Sequence, residues 1–169
     1  RMDLANVDPA PRQTHVIAAT GEESPVLWRY TLEAPTNDWR RAEFDDASWR
    51  LAPAGFGTRD TPGTVVRTEW RTRDIWLRRA FTFHATAREG GTNTLALRLH
   101  HDEDVEVFLN GEEVAREPRW TTGYVELPLL EAAARALYPG RNVLAIHCRQ
   151  NSGGQYIDAG LNEYKSPAR

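Results

Sequence analysis

The chain has 169 residues and a formal net charge of −3, and 27% of its residues are charged. The hydrophobic fraction of 40% is typical of a globular domain with its own core and argues against disorder. Nucleic-acid-binding domains are normally basic, so the charge argues against that class. No run approaches the roughly 20 apolar residues that span a bilayer, which argues against a membrane protein.

Residues 1–12 contain Pro9 and Pro11 and have no periodic pattern, which predicts a linker or an edge segment. Residues 13–169 then form one domain, in which short strand-like runs alternate with turn residues. The chain opens without an apolar leader, and we expect it to be a piece of a longer polypeptide.

Alternation of apolar residues with a period of two identifies the strands. Leu95, Leu97 and Leu99 share one face of a predicted strand over residues 93–100. The same reasoning predicts further strands over 26–32, 74–84, 105–109, 112–116, 123–129, 142–148 and 156–161.

Turn and helix residues complete the prediction. Asn110 and Gly111 both tolerate positive φ, which predicts a two-residue hairpin turn. Alanines over 130–138 predict one short helix, which Pro139 and Gly140 end. The fold class is therefore all-β, a jelly-roll sandwich of about eight antiparallel strands with one short helix.

Few residues are spaced for catalysis or metal binding. The pairs His100-His101 and His147-Cys148 are adjacent on strands, so each offers at most one ligand to a common zinc site. A Gly-x-Ser-x-Gly nucleophile motif is absent. Asp102, Glu103 and Asp104 have three readings: a solvated turn, a calcium site near Asp102 and Asp104 or contact with sugar hydroxyls, and a glycosidase carboxylate pair.

Aromatic residues beside planar polar residues are the strongest candidates for binding. Flat rings suit the apolar faces of sugars, and amides, carboxylates and guanidinium groups suit the hydroxyls. Trp28, Trp39 and Trp49 are expected in the core, because tryptophan is usually buried. The candidate contacts with carbohydrate are Trp70, Arg73, Asp74, Asp102, Trp120, Gln155 and Tyr156.

Four motifs occur in an order that is typical of one family of domains. They are Phe-x-Asp-x-x-Trp over 44–49, a Trp-Leu-Arg-Arg-x-Phe strand over 76–81, the hairpin 105–111 with Asn110-Gly111, and the Gly-Arg-Asn-x-Leu strand over 140–144. Together they resemble the galactose-binding-like β-sandwich domain of β-galactosidase and β-glucuronidase relatives and of carbohydrate-binding modules. No catalytic residue carries over, because those enzymes keep their acid and nucleophile in a separate barrel.

The resemblance implies a non-catalytic carbohydrate-binding or accessory module of a multidomain bacterial enzyme that degrades glycans. Its partners would be a polysaccharide or oligosaccharide and the attached catalytic domain, without nucleic acid or membrane. A secreted, periplasmic or cell-surface location follows from the same resemblance.

Three alternatives stay open at this point. The chain could be a purely structural domain that packs against its own catalytic neighbour, which predicts an exposed apolar patch. It could be a small hydrolase or lyase that uses Asp102, Asp104 or His101. The arginines over 67–79 could instead bind an acidic glycan.

Overall fold

The computed structural model describes residues 13–85 and 93–165. The segment 1–12, predicted to be a linker or an edge segment, lies outside the described residues. Two sheets of six strands each face one another and enclose the main hydrophobic core. The predicted all-β sandwich is confirmed. Among the described residues, no helix is long and apolar enough to span a membrane.

The strands in chain order are β1 (Gln13–Ala18), β2 (Leu27–Thr31), β3 (Arg50–Pro53), β4 (Phe56–Gly57), β5 (Thr68–Glu69), β6 (Asp74–Phe83), β7 (Asn93–Asp102), β8 (Asp104–Leu109), β9 (Glu112–Glu117), β10 (Val125–Pro128), β11 (Gly140–Arg149) and β12 (Tyr156–Lys165). Sheet A has the order β10-β7-β12-β4-β5, with β1 also paired to β12. Sheet B has the order β3-β2-β6-β11-β8-β9. Among these pairs, β4 with β5 is parallel and the others are antiparallel.

The core lies between the two sheets and is built from the apolar faces that the alternation predicts. Leu97 and Leu99 of β7 and Leu161 of β12 are fully buried from the side of sheet A. Ile75 of β6 and Leu144 of β11 oppose them from sheet B. Face-to-face packing of two alternating sheets therefore fixes which residues are inside.

The structure adds four strands to the eight predicted, namely β1, β3, β4 and β5. Two of them are only two residues long and lie in segments too short for an alternating pattern. The predicted helix over 130–138 is shorter, with α1 at Glu131–Ala134. It ends early because the backbone tightens into a turn, in which Ala136 N donates to Ala133 O.

The predicted hairpin turn between β8 and β9 is confirmed. Asn110 and Gly111 have φ values of 51° and 94°, and Leu109 pairs directly with Glu112. The Asn110 side chain also accepts a 2.8 Å hydrogen bond from the backbone N–H of Val143. This turn therefore joins the hairpin to the neighbouring strand β11.

Arg78 lies on β6 with its side chain fully buried on the outer face of sheet B. Its guanidinium donates to the backbone oxygens of Trp39, Arg41 and Phe44 and, at 2.8 Å, to Asp46 Oδ2. These bonds hold the segment 37–49, which begins with a 3-10 helix at Asn37–Arg40, over the sheet.

A second, smaller hydrophobic cluster forms beneath this segment. Trp39 packs edge-on against Phe108, with ring centroids 5.6 Å apart. The prediction that Trp28 and Trp39 are core residues is confirmed, because they are 2% and 4% exposed. Trp49 is only half-buried at the edge of the smaller cluster.

Replacing Arg78 with alanine removes the four buried hydrogen bonds that fix most of the segment 37–49, and leaves only the bonds from Arg29 to Trp49 O and from Arg141 to Ala42 O among the described residues. We expect the free energy of unfolding to fall by about 3–5 kcal/mol, because Asp46 and three carbonyl groups lose a buried partner. Chemical denaturation would measure the loss. Arg116→Ala is the control, since its ion pairs with Glu106 and Glu113 lie at the surface and contribute little. Equal effects of the two substitutions would contradict the anchoring role of Arg78.

Candidate functional site

The register of the strands gathers the predicted site residues at one end of the sandwich. In sheet B, Asp74 of β6 lies opposite Arg149 of β11, which in turn lies opposite Asp104 of β8. In sheet A, Asp102 of β7 lies opposite Tyr156 of β12. We call this region the loop end and define it as residues 58–74, 102–104, 118–122 and 149–156.

Four of the seven predicted contact residues reach solvent at the loop end. Trp120 is 58% exposed and forms a β-bridge with Asp102, which is half-buried. Arg73 is exposed and Asp74 is half-buried. The structure therefore brings one open indole ring close to a carboxylate.

The other three predicted residues are buried and support the loops from within. Trp70 is 1% exposed, and its Nε1 donates to Thr72 Oγ1 at 3.0 Å. Gln155 donates through Nε2 to Thr72 O at 2.6 Å, and Tyr156 is 0% exposed. These side chains present no surface to a ligand. The polar neighbours of Trp70 in sequence do not reveal this, because distant segments bury the ring.

Asp104 connects two loops of the loop end. Its Oδ1 accepts a 2.8 Å hydrogen bond from the backbone N–H of Arg119, and its Oδ2 accepts one of 3.0 Å from Asn151 Nδ2. These two bonds, with the Arg119 bond first, lower the pKa of the Asp104 carboxyl. The predicted contact residues do not include Arg119 and Asn151, whose bonds to Asp104 span 15 and 47 residues and leave no local signal in the sequence.

A stacked pair on the outer face of sheet B leads into the loop end. The rings of Trp76 and His147 are cross-strand neighbours with centroids 4.7 Å apart and planes within 4° of parallel. Asp74 Oδ1 lies 2.8 Å from His147 Nε2, and Glu106 Oε2 lies 3.5 Å from His147 Nδ1. Asp74 therefore fixes the imidazole ring from one side, and Glu106 does so from the other.

A groove of about 370 Å³ opens beside this pair, and we call it the Asp104 groove. The charged and polar residues that line it are Asp104, Glu106, Arg116, Glu117, His147 and Arg149. Carboxylates, guanidinium groups and an imidazole line its wall, and such groups can exchange hydrogen bonds with hydroxyl groups of a ligand. The volume is within the range of small-ligand sites.

The predicted carboxylate pair has two different environments. Burial, followed by the charge of Glu103, raises the pKa of Asp102, whereas the pKa of Asp104 is lowered. His101 is buried, with Nδ1 2.5 Å from the backbone oxygen of Glu103. Over residues 13–85 and 93–165, no group of three or more His, Cys, Asp or Glu side chains is placed to hold a metal ion. The described residues therefore do not form a ready site for the predicted calcium ion near Asp102 and Asp104.

A separate polar cluster on the outer face of sheet A surrounds Asp158, which is 2% exposed. Its Oδ2 accepts hydrogen bonds from Gly21 N at 2.7 Å and from the Tyr124 hydroxyl at 2.6 Å. His100 lies opposite Asp158 across the strands and is also buried. Burial raises the pKa of Asp158 to about 6, against an ordinary value of 3.8. This cluster secures the turn at Gly21 and is joined to the loop end through Tyr156, whose hydroxyl lies 3.0 Å from that of Tyr124.

The raised pKa of Asp158 makes stability depend on pH in a defined direction. The folded state binds the proton more tightly than the unfolded state, so this contribution is complete below about pH 4 and is lost as the pH rises through 6. Asp158→Asn cannot ionise. As the pH rises from 4 to 7, we expect the free energy of unfolding of the variant to gain up to about 3 kcal/mol relative to that of the parent chain. Chemical denaturation of both chains at pH 4 and pH 7 measures their free energies of unfolding. A difference between the two chains that is the same at both pH values would contradict the prediction.

Comparisons of the sequence with known proteins give no family. No protein-family model matches it, and no match was found among curated proteins. Any relationship therefore has to be read from the fold.

Solved structures do share this fold. A β-glucuronidase from Bacteroides uniformis matches with a TM-score of 0.59 and 18% identity, over 90% of this chain and 18% of that chain. A β-glucuronidase from glycoside hydrolase family 2 matches with a TM-score of 0.58 and 12% identity, over 94% and 18%. A glycosyl hydrolase family 2 member from Bacteroides cellulosilyticus matches with a TM-score of 0.55 and 16% identity, over 89% and 20%.

These matches relate the whole fold of this chain to a small part of much larger proteins. The chain spans about a fifth of the length of each of the three enzymes. The predicted resemblance to a β-sandwich domain of large glycoside hydrolases is thereby confirmed at the level of the fold. The narrower assignment to the galactose-binding-like type stays a prediction.

Proposed function

We propose that this chain is the non-catalytic accessory domain of a larger glycoside hydrolase and that its loop end binds carbohydrate. The main support is that about nine-tenths of the chain superimposes on about a fifth of family 2 glycoside hydrolases. A neighbouring catalytic domain and an exported bacterial protein are parts of the same proposal.

The chemistry of the loop end supports carbohydrate as the ligand. Trp120 offers an exposed flat ring, and the nearby Asp104 groove offers carboxylates and guanidinium groups. Asp104 and Asp74 are already held by hydrogen bonds, so these groups keep their positions before a ligand arrives. Such preorganisation reduces the entropy lost on binding.

The residues that could catalyse a reaction support an accessory role. Cys148 is 0% exposed, and burial raises the pKa of its thiol, so it is not a ready nucleophile. His101 is buried beside Glu103. Asp104 is occupied by Arg119 and Asn151.

Trp120→Ala tests whether the loop end binds glycan. We expect the variant to lose about tenfold in affinity for any polysaccharide that the parent chain binds, because a central aromatic contact contributes about 1–2 kcal/mol. Titration calorimetry against neutral and acidic plant and microbial polysaccharides gives the affinities. Tyr138→Ala is the matched control, since Tyr138 is 56% exposed at the opposite end of the sandwich. Absence of binding to every polysaccharide would overturn the proposal.

A turnover assay separates this proposal from the hydrolase alternative. We expect the 169-residue chain to release no chromophore from nitrophenyl glycosides, because His101 is buried and Asp104 is engaged by Arg119 and Asn151. Turnover that disappears in Asp102→Asn and persists in Asp45→Asn, an exposed aspartate elsewhere, would establish an enzyme instead.

An apolar pair on sheet B favours a structural role as a second candidate function. Leu27 of β2 and Leu51 of β3 are 54% and 53% exposed and lie on the same outer face. Neighbouring apolar side chains that face outwards often mark a contact with another domain. Such a contact is compatible with glycan binding, because the pair lies on a sheet face and the candidate site lies at the loop end.

A further inference from the structure

A second groove lies at the opposite edge of sheet B and takes no part in the site described above. It has a volume of about 370 Å³ and is lined in part by Tyr30, Glu33, Ser48, Trp49 and Arg50. We call it the Trp49 groove. The sequence placed Trp49 in the core, whereas the structure leaves it half-buried at the wall of this groove.

The Trp49 groove opens at the same end of the sandwich as the Asp104 groove. Thr31, the last residue of β2, pairs with Trp76 near the start of β6, and Arg50 begins β3. The strand order places β2 three positions from β8. At about 4.8 Å per strand, the two grooves are about 14 Å apart across the sheet. A single extended chain could therefore contact both.

The aromatic side of the Trp49 groove is held in position by the fold. Trp49 packs edge-on against Phe44 at 5.7 Å, and its backbone oxygen accepts a hydrogen bond from Arg29 at 3.1 Å. Tyr30 packs against Phe56 at 5.2 Å. Tyr30 packs into the main core between the sheets, so Trp49 is the ring that the outer layer fixes at the wall of the groove. A fixed flat ring suits the apolar face of a sugar.

The polar side of the groove is free to bind. Glu33, Ser48 and Arg50 are exposed, and their side chains make no hydrogen bond or ion pair with another residue of the described ranges. By contrast, Glu106 and Arg116 in the Asp104 groove already bind each other. Because Glu33 and Arg50 carry opposite charges, the groove has no net preference for an anion or a cation.

We infer that the Trp49 groove binds a neutral pyranose residue of the same polysaccharide that the loop end contacts, an inference that rests on the proposed function. The ring face of Trp49 contacts the sugar, and Glu33, Ser48 and Arg50 exchange hydrogen bonds with its hydroxyl groups. Two grooves on one chain make the attachment bivalent, so affinity rises when the oligosaccharide is long enough to reach both.

Indole N–H signals in nuclear magnetic resonance spectra test the inference at each site separately. The signals of Trp49 and Trp120 are assigned with Trp49→Phe and Trp120→Phe. The probes are the methyl pyranosides of glucose, galactose, mannose and xylose, with methyl β-glucuronide as the anionic match. We expect at least one neutral glycoside to shift the Trp49 signal in a saturable way, and the glucuronide to shift it less.

Variants of the exposed groove residues keep the test independent of folding. Glu33→Gln and Arg50→Ala should each raise about tenfold the glycoside concentration that gives half of the maximal Trp49 shift. Both should leave the melting temperature unchanged. Glu112→Gln, an exposed glutamate at the opposite end, is the control and should bind as the parent chain does.

The possible failures can be told apart. Shifts at Trp120 without shifts at Trp49 would overturn the inference and leave the proposed function intact. Stronger binding of the glucuronide at Trp49 would overturn the neutral-ligand assignment. The absence of shifts at both indoles with every probe would overturn the inference, and the polysaccharide titrations decide the proposed function on their own.

Discussion

The buried guanidinium of Arg78 holds together the part of the molecule on which the Trp49 groove depends. Its hydrogen bonds to three backbone oxygens and to Asp46 fix the segment 37–49 on the outer face of sheet B. Trp49 is part of that segment, so the position of its ring follows from contacts that Arg78 makes several residues earlier. A charge buried this completely is stable only when each donor finds an acceptor, which commits the segment to one conformation.

The loop end is a product of strand register. Strands β6, β8 and β11 of sheet B begin or end at the same level, so Asp74, Asp104 and Arg149 become neighbours although they are far apart in sequence. The sheet supplies rigid positions, and the loops supply varied side chains. This division explains how the sandwich presents a polar surface at one end.

The sequence predicts the fold well because period-two alternation is a local signal. The strands β6, β7, β11 and β12 and the Asn110-Gly111 turn follow from it directly. The candidate site is predicted less well. Burial of Trp70 depends on segments that are distant in sequence, and so does the bond of Asp104 to Asn151. Trp49 was expected in the core because tryptophan is usually buried. Its actual exposure depends on how the segment 37–49 is anchored, which the local sequence does not show.

The crossing of the chain from β9 to β10 at the loop end has a further consequence. Residues 118–122 pass from sheet B to sheet A and carry Trp120, whose neighbour Arg119 is bonded to Asp104. A ligand held at this crossing would tie the two layers together and would bind the folded chain alone. By mass action it would raise the free energy of unfolding, so the domain with such a ligand bound would resist heat and proteolysis better than the free domain.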